Sequence, residues 1–472
     1  MGRPRRCSRV LLWASFLGLG LLLEGGLVAL LLLAYRWPVP FDNPFDYYSG
    51  TRPLFASGWG IALPSPMSPG PFSRAFASVW YGLNALWLGA FLLARRTGRP
   101  GQPILPVILG CALLFQATLV LVMPPLLTTD LYNYLAYGRM VAFHGLNPYT
   151  MLPSQMGSDP VLLHEFWDIV TPYGPLWTLL SAGIARAAGN SVFLGLILLK
   201  AVAGLSHLAI AWLGYRLAGE EIGPAVLLAW NPLFLLEGAG NGHNDLAMMA
   251  LAMGGLLAFH RGKRWLGLVL LLLSGLVKYV SLFLLLFCLL LWLREQGGWG
   301  KRLRLLAAVA AVSLLLLAVF YAPFWQGPDT VLRNLREEST RIRLTPAAYA
   351  RVPLRRLWSE LPLDQADARA LGTIALAQKA GLGALLLWQG IRLWQRRGIH
   401  WEEATSAWNT VALVYIVLFH NSIFPWYFVW PFGSAATQLQ RPGARHVAIL
   451  SGSLRALAAL LYGIPAGAGA AQ

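Results

Sequence analysis

Long apolar blocks separated by short polar turns dominate the chain. Val10 to Tyr35, Ala75 to Ala94, Ile104 to Leu127, Ser191 to Tyr215 and Leu266 to Leu293 are the clearest. About 20 apolar residues cross a hydrocarbon core at about 1.5 Å per residue. In lipid such segments must be helices, because a helix satisfies its own backbone polar groups. The apolar runs are continuous rather than alternating, which argues against a closed β-barrel. The pattern predicts an all-α polytopic transmembrane bundle of about thirteen helices, with boundaries loose by several residues.

Basic residues orient these spans. Arg3, Arg5, Arg6 and Arg9 place the N-terminus in the cytoplasm and make 10–35 a retained anchor rather than a cleaved signal. Spans then follow over 75–94, 104–127, 191–216, 223–238, 245–260, 265–278, 279–293, 305–323, 371–394, 404–424, 426–440 and 446–464. Residues 172–188 are apolar enough to span. Counting them as a span would put Arg261, Lys263 and Arg264 outside, so they are read as a juxtamembrane helix. The whole of 1–472 is then one membrane domain with two large extracytoplasmic loops, 128–190 and 324–370.

Composition agrees: 57% of residues are hydrophobic and 12% charged. The net charge of +17 would fit a nucleic-acid partner in a soluble protein, but here it belongs to cytoplasmic turns. Cys7, Cys111 and Cys288 have no spacing that implies a disulfide framework or a zinc site.

With this topology, polar residues that are costly near lipid gather on the outer face. Asp130 follows the third span and opens the stretch Tyr132, Asn133, Tyr134, Tyr137, Gly138, Arg139. On a helix Asp130, Tyr134 and Tyr137 share one face, and Tyr132 and Arg139 another. Taken alone this is equally a helix-dipole acid with an interfacial tyrosine belt. Asn147-Pro148-Tyr149 and Tyr173-Gly174-Pro175 are turn signals. The stretch Glu237-Gly-Ala-Gly-Asn241-Gly-His243-Asn244-Asp245 is denser, and fits a polar cavity or a hydrated, capped loop. Lys278 either snorkels to headgroups or meets a lipid phosphate. Arg341 and Arg343 lie in a basic external loop suited to phosphate or anionic headgroups. His420, Trp426 and Tyr427 fit an aromatic belt.

In this order and spacing, Asp130-x-Tyr132-x-Tyr134, Gly138-Arg139, Asn147-Pro148-Tyr149, Tyr173-Gly174-Pro175-Leu176, Asn231-Pro232-Leu233, Gly242-His243-Asn244-Asp245, Lys278 and Trp426-Tyr427 resemble the GT-C integral-membrane glycosyltransferases. The bacterial polyprenol-phosphate-mannose-dependent mannosyltransferases are the most similar branch, over about residues 100–440. The resemblance implies inverting transfer of a hexose, mannose by preference, from a polyprenyl-phosphate donor to a glycan, lipid or protein acceptor. It implies a multi-pass protein of the cell membrane with an extracytoplasmic site and Asp130 as general base. Substrate contacts are expected from Tyr132, Tyr134, Arg139, Asn147, Tyr149, Tyr173, Asn241, His243, Asn244, Asp245, Lys278, Arg341, Arg343, His420, Trp426 and Tyr427. Related enzymes often pair acids at this position. Here Asp130 stands alone, so no cofactor is expected and a divalent metal has little support. A lipid-linked-sugar transporter or flippase is the competing class, but it would place polar groups at the bilayer midplane in paired repeats, and no repeat is evident. A non-catalytic scaffold would tolerate changes at Asp130, His243 and Asp245.

Overall fold

A computed structural model describes residues 6–36, 51–97, 104–126, 128–164, 166–331, 333 and 345–449. Arg341, Arg343 and the expected span 446–464 beyond residue 449 lie outside them. The described residues form helices and no β-strand.

The first four helices are α1 (Arg6–Tyr35), α2 (Thr51–Gly58), α3 (Pro69–Thr97) and α4 (Leu105–Leu121). Then come α5 (Asp130–Phe143) and α6 (Pro175–Ala188), 14 residues each, joined by two short 3-10 turns. At about 21 Å each is shorter than the roughly 20 residues a typical crossing takes. Next are α7 (Val192–Leu217), α8 (Ile222–Ala229) and α9 (Pro232–Leu235), the last running into a π-helical turn, Leu236–Gly240. Asn231 and Pro232 break the segment. The Asn231 side chain caps Leu233 N, and the two halves meet at 46°. The remaining helices are α10 (Asp245–His260), α11 (Arg264–Val277), α12 (Leu282–Glu295), α13 (Trp299–Tyr321), α14 (Pro346–Arg356), α15 (Leu363–Gln395), α16 (Trp401–Val414) and α17 (Val429–Ala435).

Five described helices are long and apolar enough to cross a membrane, or six if the bent pair counts as one span. The expectation of about thirteen crossings therefore exceeds what the long helices supply. The shortfall falls largely on shorter apolar helices, such as α4, α10 and α11. The long helices α7, α13 and α15 present apolar outer surfaces: Leu205, Leu314, Leu315 and Leu376 are exposed, as lipid-facing side chains are.

Polar pairs hold the interior. Gln116 Nε2 lies 2.6 Å from His207 Nδ1, and the wholly buried Lys200 donates to the carbonyls of Leu119 and Met123 at the end of α4. Two glycines set the approach of the outer elements. Gly174 N donates to Val277 O at 3.0 Å, and a Cβ on Gly174 would stand 2.1 Å from Leu276 O. The backbone leading into α6 is thereby pressed against the end of α11. Gly174→Ala puts a methyl group against backbone, which cannot rotate away. It is expected to destabilise the protein by about 1–3 kcal/mol, read as a lowered thermal midpoint in detergent. Gly242 has φ +71°, a left-handed conformation that glycine adopts freely, and a Cβ there would meet Leu131 Cδ2 at 2.5 Å. The turn before α10 thus lies directly on the start of α5.

Candidate active site

That contact joins the two acid-bearing segments. Asp130 sits in the first turn of α5, where the helix dipole favours an anion. Its side chain is 23% exposed, whereas His243 and Asp245 are fully buried. His243 Nδ1 lies 3.4 Å from Asp130 Oδ2, and its Nε2 lies 3.3 Å from Glu237 Oε2. These are ion-pair contacts rather than well-aligned hydrogen bonds, since neither ring nitrogen meets hydrogen-bond geometry. The imidazole stacks on Trp426 at 3.9 Å between centroids and 18° between planes. Glu237 is fixed in turn by Asn241 Nδ2 at 2.9 Å, and Asn241 Oδ1 accepts from Leu126 N at 2.8 Å.

Asp130 is therefore not alone. The expectation of an isolated acid overlooked Glu237, which reaches the same histidine from the π-helical turn. A glutamate in an apolar span is costly unless it has work or a partner, and that cost is the signal that could have found it. π-turns of this kind recur at functional sites.

Electrostatics follow from the geometry. Burial alone would raise the Asp130 carboxyl. The adjoining His243 ring, the charge of Lys278 and the Tyr173 hydroxyl outweigh it and hold the carboxyl below its ordinary value. Burial alone would lower His243, but the contacts and charges of Asp130 and Glu237 reverse this and bring it up to about 9. Burial, reinforced by the charge of Asp130, pushes the Tyr134 and Tyr173 hydroxyls well above their ordinary value, so both remain proton donors. Tyr134 Oη lies 3.4 Å from Asp130 Oδ2 and 3.3 Å from Asn244 Oδ1.

Beside this group is a second one. Asp245 Oδ1 accepts from Lys278 Nζ at 2.8 Å and from Trp430 Nε1 at 2.6 Å. The ammonium also lies 4.7 Å from the Tyr427 ring and 5.3 Å from that of Trp430. Lys278 is 18% exposed, so it is an internal partner with an open side rather than a snorkelling residue. His420 packs edge-on against Tyr427. Among the described residues no group of three or more His, Cys, Asp or Glu is arranged to hold a metal ion.

Of the expected contact residues, the structure brings together Asp130, Tyr134, Tyr173, Asn241, His243, Asn244, Asp245, Lys278, His420, Trp426 and Tyr427. Others are occupied elsewhere. Arg139 Nε donates to both Asp159 oxygens, at 2.7 and 2.9 Å, and Nη1 donates to Gly189 O, a buried brace within the 128–190 loop. Asn147 donates to Phe324 O, and Tyr149 bonds Tyr173 O and Thr178 Oγ1. Tyr132 donates to Thr51 Oγ1 and stacks on His164. Those four shape the loop that carries the site. Trp430 joined it without any sequence signal.

Comparison with known proteins gives a consistent result. The family profile described as alpha-(1->6)-mannopyranosyltransferase, N-terminal domain, matches residues 59–294, half of the chain. Alpha-(1->6)-mannopyranosyltransferase A of Mycobacterium tuberculosis is 26% identical over 397 residues, covering 79% of this chain and 73% of that protein. A probable alpha-(1->6)-mannopyranosyltransferase of Mycolicibacterium smegmatis is 25% identical over 418 residues, covering 79% and 71%. Alpha-(1->6)-mannopyranosyltransferase A of Corynebacterium glutamicum is 25% identical over 337 residues, covering 64% and 65%. No solved structure matches.

Proposed function

Because the chain belongs to the alpha-(1->6)-mannopyranosyltransferase family and is a membrane mannosyltransferase, we propose that it takes mannose from a polyprenyl-phosphate carrier on the extracytoplasmic face, with Asp130 as general base. The observation that carries this reading is a partly exposed carboxylate beside a buried imidazole, within the field of a lysine that pairs with Asp245 and keeps an open side. Asp130 Oδ2 takes the proton of the acceptor hydroxyl as that oxygen bonds the anomeric carbon from the face opposite the phosphate. The bond to the phosphate oxygen breaks, its electron pair leaves with the polyprenyl phosphate, and the anomeric configuration inverts. The phosphate needs cations more than a proton, and Lys278 is placed to supply positive charge. The α-(1->6) linkage in the relatives' names is the product expected here, on a glycan, lipid or protein acceptor. This scheme invokes no metal ion.

The outward orientation rests on charge. Arg95, Arg264, Arg294, Arg396 and Arg441 lie at helix ends away from Asp130, as a cytoplasmic surface requires. The short pair α5 and α6 then forms an extracytoplasmic juxtamembrane layer. The direct test supplies sealed vesicles of known orientation with polyprenyl-phosphate mannose or with a nucleotide-activated mannose. Transfer from the lipid-linked donor alone, at the outer face and with an inverted anomeric centre, is expected. Transfer from the nucleotide donor alone would overturn the donor assignment.

The pH profile gives a separate prediction. Asp130 stays ionised throughout neutral pH, and His243 stays cationic until pH rises through about 9. Activity is expected to hold through neutrality and fall on the alkaline side. Glu237→Gln removes one of the two anions that sustain the imidazolium, so its alkaline limb should move to lower pH. An unchanged limb would show that Glu237 does not act through His243.

A further inference from the structure

At the end of the bundle opposite Asp130 lies a cavity that the transfer chemistry does not use. α10 separates the two regions by 16 residues, about 24 Å. Asp245 stands at its active-site end, and His260 at the other, 3.7 Å from Glu402 Oε1. The cavity, of about 290 Å³, lies between the end of α15, the face of α16 and the segment 441–447, with Arg392, Arg396, Glu403, Asn409, Thr410 and Arg441 in its wall.

Its charges do not cancel. Glu403 is shared by Arg441 at 2.6 Å and Arg396 at 3.6 Å, so three arginines face one carboxylate. Glu402, nearby, stands 4.0 Å from Arg441 and also serves His260. No described side chain pairs with Arg392. Asn409 is 1% exposed; its Oδ1 accepts from Ser434 Oγ, while its Nδ2 is buried without a partner. A buried amide donor without an acceptor is costly, and an anionic oxygen in the cavity would satisfy it.

The surface around the cavity is also amphipathic. Arg392 and Arg396 continue into a shallow groove floored by Trp388 and Ile391, both exposed on the lipid-facing side of α15. A phosphate in the cavity would therefore leave an acyl chain running along Trp388 and Ile391. Basic pockets between helix ends recognise anionic lipid headgroups in this way.

We infer that this cavity binds the phosphate of an anionic phospholipid of the surrounding leaflet, at a site separate from the catalytic one.

The test uses purified full-length protein in detergent. Native mass spectrometry and thermal melting are followed with phosphatidylglycerol, phosphatidylcholine or inorganic phosphate. Phosphatidylglycerol should be retained and raise the melting midpoint, and the other two should not. Arg392→Gln with Arg396→Gln should weaken that retention by about thirtyfold, the loss expected of two basic groups at a membrane surface. Arg392→Lys with Arg396→Lys should keep most of it, and mannosyl transfer in lipid-free detergent should be the same for both pairs. Asn409→Leu, which alters no charge, should also weaken retention. Undiminished phosphatidylglycerol binding by the glutamine pair and by Asn409→Leu would overturn the proposal. A melting shift from inorganic phosphate as large as that from phosphatidylglycerol would overturn its lipid assignment.

Discussion

Asp130→Asn is expected to lower mannosyl transfer by about 10²–10⁴-fold, the contribution typical of a positioned general base. The substitution is nearly isosteric and keeps an oxygen near the Tyr134 hydroxyl and the His243 ring, 3.4 Å from each in the wild type. His243 retains Glu237 as its counter-ion, so the local fold should survive. The loss should therefore appear in kcat, with KM changed only slightly, and the melting midpoint should remain near wild type. Wild-type turnover in the variant would remove Asp130 from the chemistry. A midpoint that falls with the activity would assign it a structural role.

The largest stability effect is expected at Lys278. Replacing it with methionine removes the cation from Asp245, a fully buried carboxylate that keeps only the Trp430 N–H on Oδ1 and has no partner on Oδ2. Breaking a buried ion pair from one side costs about 3–5 kcal/mol, because the remaining charge is left uncompensated. The double variant Lys278→Met with Asp245→Leu should recover much of that stability without recovering activity. Thermal melting of the wild type, both single variants and the double variant in one detergent measures the coupling. A double variant as unstable as the sum of the singles would show that the pair does not act as a unit.

Much of this arrangement was legible in the chain, for physical reasons that differ from residue to residue. The helical class follows from apolar run length, because lipid leaves few alternatives. Asp130, His243 and Lys278 stood out because charge near an apolar run is costly. Arg139 stood out for the same reason, yet its cost is met by Asp159, a residue in the loop after α5 that only folding brings to it. Polarity marks where a partner must exist without saying whether that partner is protein or substrate. Glu237 was visible in the glycine-rich stretch, but its reach to His243 depends on the π-turn, and hydropathy carries no record of one wide turn. The number of crossings was hardest to read. Hydropathy marks α10 and α11 as spans, whereas both fall short of the length that sets apart the five long apolar helices.

The contacts of Trp426 and Trp430 bear on how the enzyme can be divided. The family profile ends at residue 294, yet the indole that covers the His243 imidazole and the N–H that anchors Asp245 both come from far beyond it. A fragment cut after α12 would carry its acids and its histidine but lack the wall they rest against. Such a fragment should be inert by itself, and regain transfer only when the C-terminal remainder is co-expressed and docks those two tryptophans.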